Sequence, residues 1–264
     1  MQNFQQPDQT RASAGSDSAG VNYFASQVVS LLAERSTRMT TEPSEGLVAG
    51  LIRASQLGTK DVFAELLTDM RKARISVAAL ADIYIPLAAR RMGEAWHEDE
   101  MSWLDVSIGV GRLQSLLREI GTAWAADQAG DAGHGTILMI IPDREQHTLG
   151  PMVAMGQMRR YGVSVCLRIA PTAEELRGLI TSRSFDGVMI SVATIDKLET
   201  VRKTVKFIKS ISTKPIPVIV GGAVMFKIDD AATCTGADFS SNDIGAALEV
   251  IGLKFDSFCI LKRA

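Results

Sequence analysis

The residues best suited to chemistry in this chain are Glu145 and His147, which lie in one short segment. The segment follows an apolar run at residues 136–141 that is typical of a buried strand. An imidazole is a common protein ligand for transition metals, and a nearby carboxylate can hold its second ring nitrogen. The chain has only three histidines, so few other imidazoles could bind a metal. The spacing to Gly150 also fits an ordinary loop histidine, so the interpretation depends on neighbouring segments.

Two further segments are predicted to lie beside this histidine. Ser191, Val192 and Thr194 follow one apolar run, while Gly221 and Gly222 follow the next. In an open parallel sheet, ligands bind outside the carboxyl ends of the strands, where the strand order reverses. The two hydroxyl groups supply polar partners, and the paired glycines let a bulky group approach the backbone. Three successive strand ends therefore predict one ligand-binding crevice.

The elements that must position these residues form two predicted regions. Residues 21–128 carry apolar stripes at helical spacing, which predicts a bundle of four to five helices. From residue 136 to 264, short apolar runs alternate with helical segments, which predicts a doubly wound, flavodoxin-like parallel sheet. Residues 129–135 predict a glycine-rich linker, and residues 1–20 predict a disordered tail. The expected fold class is therefore α/β, with the bundle preceding the sheet.

One long helix of the predicted bundle begins near Ser76 and should be kinked at Pro86. Its apolar stripe passes through Met92 and reaches Ala95 or Trp96. In isolation, Trp96 fits an ordinary core aromatic on that stripe.

Composition limits the possible functions. The net charge of -2 and the short, scattered basic pairs do not make a nucleic-acid-binding surface, so we expect no direct nucleic-acid binding. The three cysteines, Cys166, Cys234 and Cys259, lie far apart, which fits a reducing cytoplasm better than a disulfide framework. The first twenty residues lack the order of a signal peptide, and no stretch reaches the length of a membrane span, so we expect no membrane association.

Taken in order, the three segments resemble the cobalamin-binding domain of methionine synthases, corrinoid mutases and light sensors. That family has D-x-H-x-x-G, then S-x-L, then G-G, and here Glu145 replaces the Asp and Ala193 replaces the Leu. The resemblance implies that His147 is the lower axial ligand of cobalt and that Glu145 orients it, while the cofactor's own benzimidazole leaves the metal and its nucleotide tail enters the sheet crevice. The other cofactor-binding residues implied in the sheet region are Thr148, Gly150, Ser191, Val192, Thr194, Gly221 and Gly222.

The stretch from Met92 to Trp96 resembles the M/L-G-x-x-W sequence of the helical cap in cobalamin photoreceptors. The resemblance implies that Trp96 covers the upper face of the corrin ring. In light-dependent repressors of the CarH type, nine residues separate that tryptophan from a Glu-His pair. The corresponding residues here are Val106 and Ser107, so the usual upper histidine is missing. His97 is expected to be a surface residue.

The extended match is closest to the AerR/PpaA antirepressors of purple photosynthetic bacteria. It rests on residues 93–114 and on the sequence E-Q-H-T-L-G around His147. The resemblance implies a cobalamin-dependent, light-responsive transcriptional regulator that carries adenosyl- or hydroxocobalamin. It would not be an enzyme and would have no catalytic residues. Such proteins bind a DNA-binding repressor of the CrtJ/PpsR type and relieve repression of photosynthesis genes.

Three alternatives remain open on the sequence. A corrinoid shuttle protein of a methyltransferase system has the same layout of bundle and sheet domain. A haem-binding redox sensor is possible because His147 could ligate iron, as the resemblance to the domain of AppA implies. A flavodoxin-like domain without any cofactor is the third alternative.

Overall fold

The computed structural model describes residues 42–127 and 134–253. The predicted tail, the first predicted helix and most of the predicted linker lie outside the described residues. The described helices and strands belong to one compact unit that begins at Glu45. The division of the chain at residues 128 and 136 stays a prediction.

The N-terminal part of that unit is helical. The first two helices pack against each other, and a π-helical turn at Leu80–Tyr84 joins the short third helix to the fourth. The helices place their apolar faces on one shared core, which includes fully buried Leu51, Ile85, Met92 and Leu113. The helices are α1 (Glu45–Leu57), α2 (Lys60–Lys72), α3 (Val77–Ala79), α4 (Ile85–His97) and α5 (Trp103–Asp127).

The long helix predicted from Ser76 is thus interrupted. The Ser76 hydroxyl does begin it, by accepting the N–H of Ala79 at 3.1 Å. Pro86 lies in the first turn of α4, directly after the π-helical turn. Proline lacks the N–H that a continuous α-helix needs, and the wider π-helical turn directly before it accommodates that loss. The kink at Pro86 stays a prediction.

The C-terminal part is a five-stranded sheet in which every described strand pair is parallel. By chain position, the strands lie in the order second, first, third, fourth, fifth across the sheet. The second strand therefore lies on one side of the first and the third strand on the other, so the switch point lies between the first and third strands. The strands are β1 (Thr136–Ile141), β2 (Ser164–Ile169), β3 (Gly187–Ser191), β4 (Val218–Gly221) and β5 (Phe239–Ser240), and the helices are α6 (Leu149–Arg160), α7 (Ala173–Ser182), α8 (Leu198–Ile211), α9 (Ala231–Thr235) and α10 (Ile244–Ile251).

Helix α6 belongs to both parts of the unit. Leu149, Met152 and Val153 pack into the core of the helical part, whereas Met158 packs under the sheet. Because α6 starts directly after His147, the same helix that joins bundle to sheet also carries the candidate loop. Within the described residues, no helix has the length and apolarity to cross a lipid bilayer.

Candidate functional site

The loop between β1 and α6 holds Glu145 and His147 in a fixed arrangement. One carboxylate oxygen of Glu145, Oε1, accepts the backbone N–H of His147 at 3.0 Å and lies 2.7 Å from the ring nitrogen Nδ1. The other oxygen, Oε2, accepts the backbone N–H of Ala193 at 3.0 Å. The side chain of Glu145 is 2% exposed, whereas that of His147 is 67% exposed. A buried carboxylate therefore holds a solvent-facing imidazole.

The charge of Glu145 decides which ring nitrogen is available. Burial by itself would raise the pKa of this carboxyl, but the N–H groups of His147 and Ala193 and the imidazole outweigh burial and hold the pKa below its usual value. The carboxylate therefore stays ionised at neutral pH and accepts a proton-bearing Nδ1. The outer nitrogen, Nε2, then presents its lone pair, as a metal-binding histidine requires.

The loop is anchored from three directions. Its own turn is closed by the N–H of Glu145, which donates to the carbonyl of Pro142 at 3.2 Å. The end of β3 contributes the Ala193 contact. The third anchor comes from α5, where the amide of Gln114 donates to the hydroxyl of Thr148 at 2.9 Å. Sheet and bundle together therefore fix the position of the imidazole.

A cavity of about 740 Å³ opens beside the β3 and β4 strand ends, and we call it the slot. Ser191, Gly221 and Gly222 line it at these strand ends, and Gly150 lines it from the first turn of α6. The slot extends into an apolar interior formed by α6, α10 and side chains of the central strands, which are Met139, Met189 and Ile219. Its volume and lining suit a group with an apolar end.

The paired glycines also have a role within the fold. A Cβ on Gly221 would lie 2.5 Å from the carbonyl oxygen of Ser241, and one on Gly222 would lie 2.3 Å from the carbonyl oxygen of Val192. Gly222 also has a φ of +112°, which side-chain-bearing residues rarely adopt. These glycines are required by contacts within the chain itself, so they would be needed with or without a bound group.

Gly150 behaves in the opposite way. A Cβ added there would meet nothing within 4 Å, although the residue lines the slot. The fold does not require glycine at this position, and space for a bound group remains beside the backbone.

Four of the ten predicted cofactor-binding residues line the slot, and six do not: Trp96, Glu145, His147, Thr148, Val192 and Thr194. The Val192 side chain is fully buried in the core on one face of the sheet. The Thr194 hydroxyl hydrogen-bonds the Asp196 side chain, and this bond lowers the pKa of that carboxyl. The strand end meets the candidate loop through Ala193, whose backbone N–H contacts Glu145.

Trp96 is not a core residue. Its side chain is 44% exposed, whereas Met92, one turn earlier on α4, is fully buried. The indole stacks on the neighbouring His97 ring, with centroids 5.3 Å apart and planes 29° apart. Val106 is half-buried against the helical core and Ser107 is exposed, so neither offers an imidazole.

Sequence reasoning missed the residues that the bundle contributes to the slot. Asp82, Pro86 and Arg90 recur every fourth residue and line it from one side. Asp82 forms an ion pair with Arg160 of α6; burial raises the pKa of the Asp82 carboxyl, and Arg160 opposes that shift. The four-residue spacing indicates that the three residues share one helix face, but nothing in the sequence indicates which residues that face contacts.

The donor set does not suit a bare metal ion. Within residues 42–127 and 134–253, no three His, Cys, Asp or Glu side chains form a cluster that could hold one. If His147 is the one protein ligand of a metal, the remaining ligands must come from the cofactor that contains the metal.

The fold is similar to that of a corrinoid protein of known structure. The monomethylamine corrinoid protein of Methanosarcina barkeri superimposes with a TM-score of 0.61 over 78% of this chain and 94% of that one, at 13% sequence identity. Likeness at this identity concerns the fold alone, and it confirms the predicted helical region followed by a parallel α/β sheet.

A sequence relative defines the family. The chain is 37% identical over 188 residues to an uncharacterized 20.5 kDa protein in the bchF-crtJ intergenic region of Rhodobacter capsulatus. The match covers 71% of this chain and 98% of that protein, so the chain belongs to its family. No protein-family model matches the chain.

Proposed function

We propose that this chain is a cobalamin-dependent, light-responsive transcriptional regulator of the AerR/PpaA type. It acts as an antirepressor by binding a DNA-binding repressor of the CrtJ/PpsR type. The observation that carries the cofactor assignment is the solvent-facing imidazole of His147, held through Nδ1 by the buried carboxylate of Glu145. The partner assignment is supported by the relative that lies in the bchF-crtJ intergenic region.

The residues present fit a corrinoid with a nucleotide tail. His147 offers one nitrogen donor, and the corrin ring would bring the remaining equatorial nitrogens. The slot, at about 740 Å³, offers an apolar interior for the tail base, and Gly150 leaves its edge open. When bound, cobalamin supplies a cobalt ion whose upper ligand can be lost on illumination.

The residues of the chain perform binding and transmission. Glu145 keeps the imidazole oriented and increases its basicity as a ligand. Trp96 lies exposed at the end of α4 and can cover one face of a bound ring. Two polar links, Gln114 to Thr148 and Asp82 to Arg160, join the bundle to α6. If one ligand state of the cofactor fits one arrangement of bundle and sheet better, that arrangement becomes more populated. The repressor then binds that arrangement.

The direct test is to add adenosylcobalamin in darkness and record absorption spectra and repressor binding before and after light. We expect a spectral change on illumination and a change in affinity for the repressor in the same sample. A His147→Ala variant is the control and should lose both responses. A cobalamin complex whose absorption spectrum and affinity for the repressor are unchanged by illumination would contradict the sensory function.

A corrinoid shuttle of a methyltransferase system is the second candidate, favoured by the likeness to a corrinoid protein fold. In a shuttle protein, a reductant and a methyl donor change the state of the cofactor, whereas in a sensor light changes it. Methyl transfer from methylcobalamin bound to this chain onto a thiol acceptor would favour the shuttle. A haem sensor is separated by absorption, because purified haem protein shows a sharp Soret band.

A further inference from the structure

Two cationic side chains border the slot from opposite parts of the molecule. Arg90 belongs to α4 of the bundle, and Lys227 follows the short 3-10 helix Ala223–Phe226 after β4. Both line the slot and both are exposed, which places them at its mouth. Within the described ranges, no carboxylate lies at ion-pairing distance from either cation. The mouth therefore carries two positive charges that the described residues do not neutralise.

The present contact of Arg90 is easily exchanged. Its guanidinium lies 5.9 Å from the ring centroid of Phe226, a side chain that is 76% exposed. A cation over an aromatic ring in water is weakly held, whereas a guanidinium beside a phosphate makes charge-assisted, bidentate hydrogen bonds. An anion at the mouth would thus replace the ring as the partner of Arg90.

The slot itself indicates where an anion can and cannot bind. Its interior is lined by Met139, Met189 and Ile219, which cannot stabilise charge. Asp82, which also lines the slot, is engaged by Arg160 and would repel a second anion placed beside it. An elongated ligand is therefore accommodated with its apolar end inside and its anionic group between the cations at the mouth.

We propose that Arg90 and Lys227 recognise the phosphodiester of the nucleotide tail of a corrinoid. This inference rests on the proposed function and specifies its ligand class: a corrinoid with a complete, phosphate-bearing tail. Because Arg90 comes from the bundle and Lys227 from the sheet side, the phosphate also joins the two parts across the mouth. The pair discriminates against tail-less corrinoids, which carry no phosphate.

The test compares the affinities of aquacobalamin and diaquacobinamide, which lacks phosphate, ribose and base. Titrations use the full chain and the variants Arg90→Gln, Lys227→Gln and the double variant. Each single variant should lose about tenfold in cobalamin affinity, which corresponds to about 1.4 kcal/mol. Cobinamide affinity should stay within about twofold, because that ligand has no phosphate to lose. The ratio between the two ligands thus isolates the phosphate contribution from burial of the base.

Arg177→Gln is the matched control. Arg177 is exposed and lies 5.3 Å over the ring of Phe207, but it does not line the slot. Its replacement removes a surface guanidinium and a similar ring contact, and should leave both affinities unchanged. Raising the salt concentration should weaken cobalamin binding to the unsubstituted chain more than binding to the double variant.

Three results would overturn the inference. Equal loss of cobalamin and cobinamide affinity in the variants would reduce Arg90 and Lys227 to structural residues. Tight binding of inorganic phosphate by the chain alone, lost in the double variant, would assign the cations to a free anion. Failure of the unsubstituted chain to bind aquacobalamin would overturn the proposed function and this inference together. If binding depends on His147 but is unchanged in the Arg90 and Lys227 variants, this inference alone is overturned.

Discussion

The sheet side and the bundle side of the site are built to different degrees of rigidity. On the sheet side, Glu145 accepts three N–H groups while 2% exposed and so fixes the ring of His147. On the bundle side, Trp96 is 44% exposed and stacks on His97, which is also exposed. We propose that this difference reflects two roles. The sheet side is preorganised to hold a ligand, and the bundle side can rearrange when the group on the opposite face of a bound cofactor changes.

The glycines show the same contrast within one site. Gly221 and Gly222 are locked by close approach of the chain's own carbonyls, whereas Gly150 borders open space. Substitutions at these positions separate the demands of folding from those of ligand binding.

The largest expected effect is on folding, from Gly222→Ala. The added Cβ would meet the Val192 carbonyl at 2.3 Å, at a φ of +112°. We expect the free energy of unfolding to fall by roughly 3 kcal/mol or more. Urea titration followed by circular dichroism measures this loss. If the variant has the same free energy of unfolding as the parent, the close backbone contacts do not require glycine at this position.

The next effect is on binding alone, from Gly150→Leu. An added Cβ here meets nothing within 4 Å, and Gly150 lines the slot, so stability should change by less than about 1 kcal/mol. Cobalamin affinity should fall by about a hundredfold, because the leucine occupies the space of the ligand. Gly178→Leu, on α7 with equally open surroundings, is the control and should bind normally. Unchanged affinity in Gly150→Leu would remove the slot from the binding site.

Glu145→Ala tests the orientation of the ligand histidine. Without the carboxylate, the imidazole loses its hydrogen-bond partner at Nδ1 and can rotate away. Loss of such a supporting group costs about 10- to 100-fold in metal affinity. Isothermal titration with cobalamin measures the loss, and Glu145→Asp should recover part of it. Full affinity in the alanine variant would mean that the ring needs no support.

A smaller effect concerns pH. The folded pKa of Glu145 lies below its ordinary value of 4.5, so the ionised carboxylate stabilises the fold above that value. This stabilisation is lost as the pH falls through the folded pKa. The difference in unfolding free energy between the parent and Glu145→Gln should therefore shrink between about pH 6 and pH 3. A difference that stays constant over this range would contradict an ionised Glu145.

The smallest effect is expected from Trp96→Ala. Because the indole is largely exposed, its removal should cost less than about 1 kcal/mol of stability. Met92→Ala, at a fully buried position one turn away, should cost about 2 to 5 kcal/mol. Trp96→Ala should still change the rate of ligand exchange at the upper face of bound cobalamin, followed by stopped-flow absorption. An exchange rate identical to the parent's would remove Trp96 from the cap.

The sheet and its switch point were predictable because parallel strands are buried on both faces and read as short apolar runs between helices. The Glu145–His147 pair was recognisable because its members lie two residues apart. Helix α9 and strand β5, at five and two residues, were missed because they are too short to show a period.

The contacts that could not be predicted join segments distant in sequence. The need for glycine at position 221 comes from Ser241, twenty residues later, and the approach of Arg90 to Phe226 joins bundle and sheet. A pattern within one segment identifies the residues that face a neighbour, but only the packing identifies that neighbour.

The central claim is that Nε2 of His147 is the lower ligand of cobalt. Electron paramagnetic resonance of cob(II)alamin bound to the chain tests it directly, with protein in which the histidines carry the heavy nitrogen isotope. Coordination by His147 predicts that each cobalt line is split into a doublet, since that isotope has nuclear spin one half. A triplet, from the ordinary nitrogen of the cofactor's own benzimidazole, would contradict the assignment.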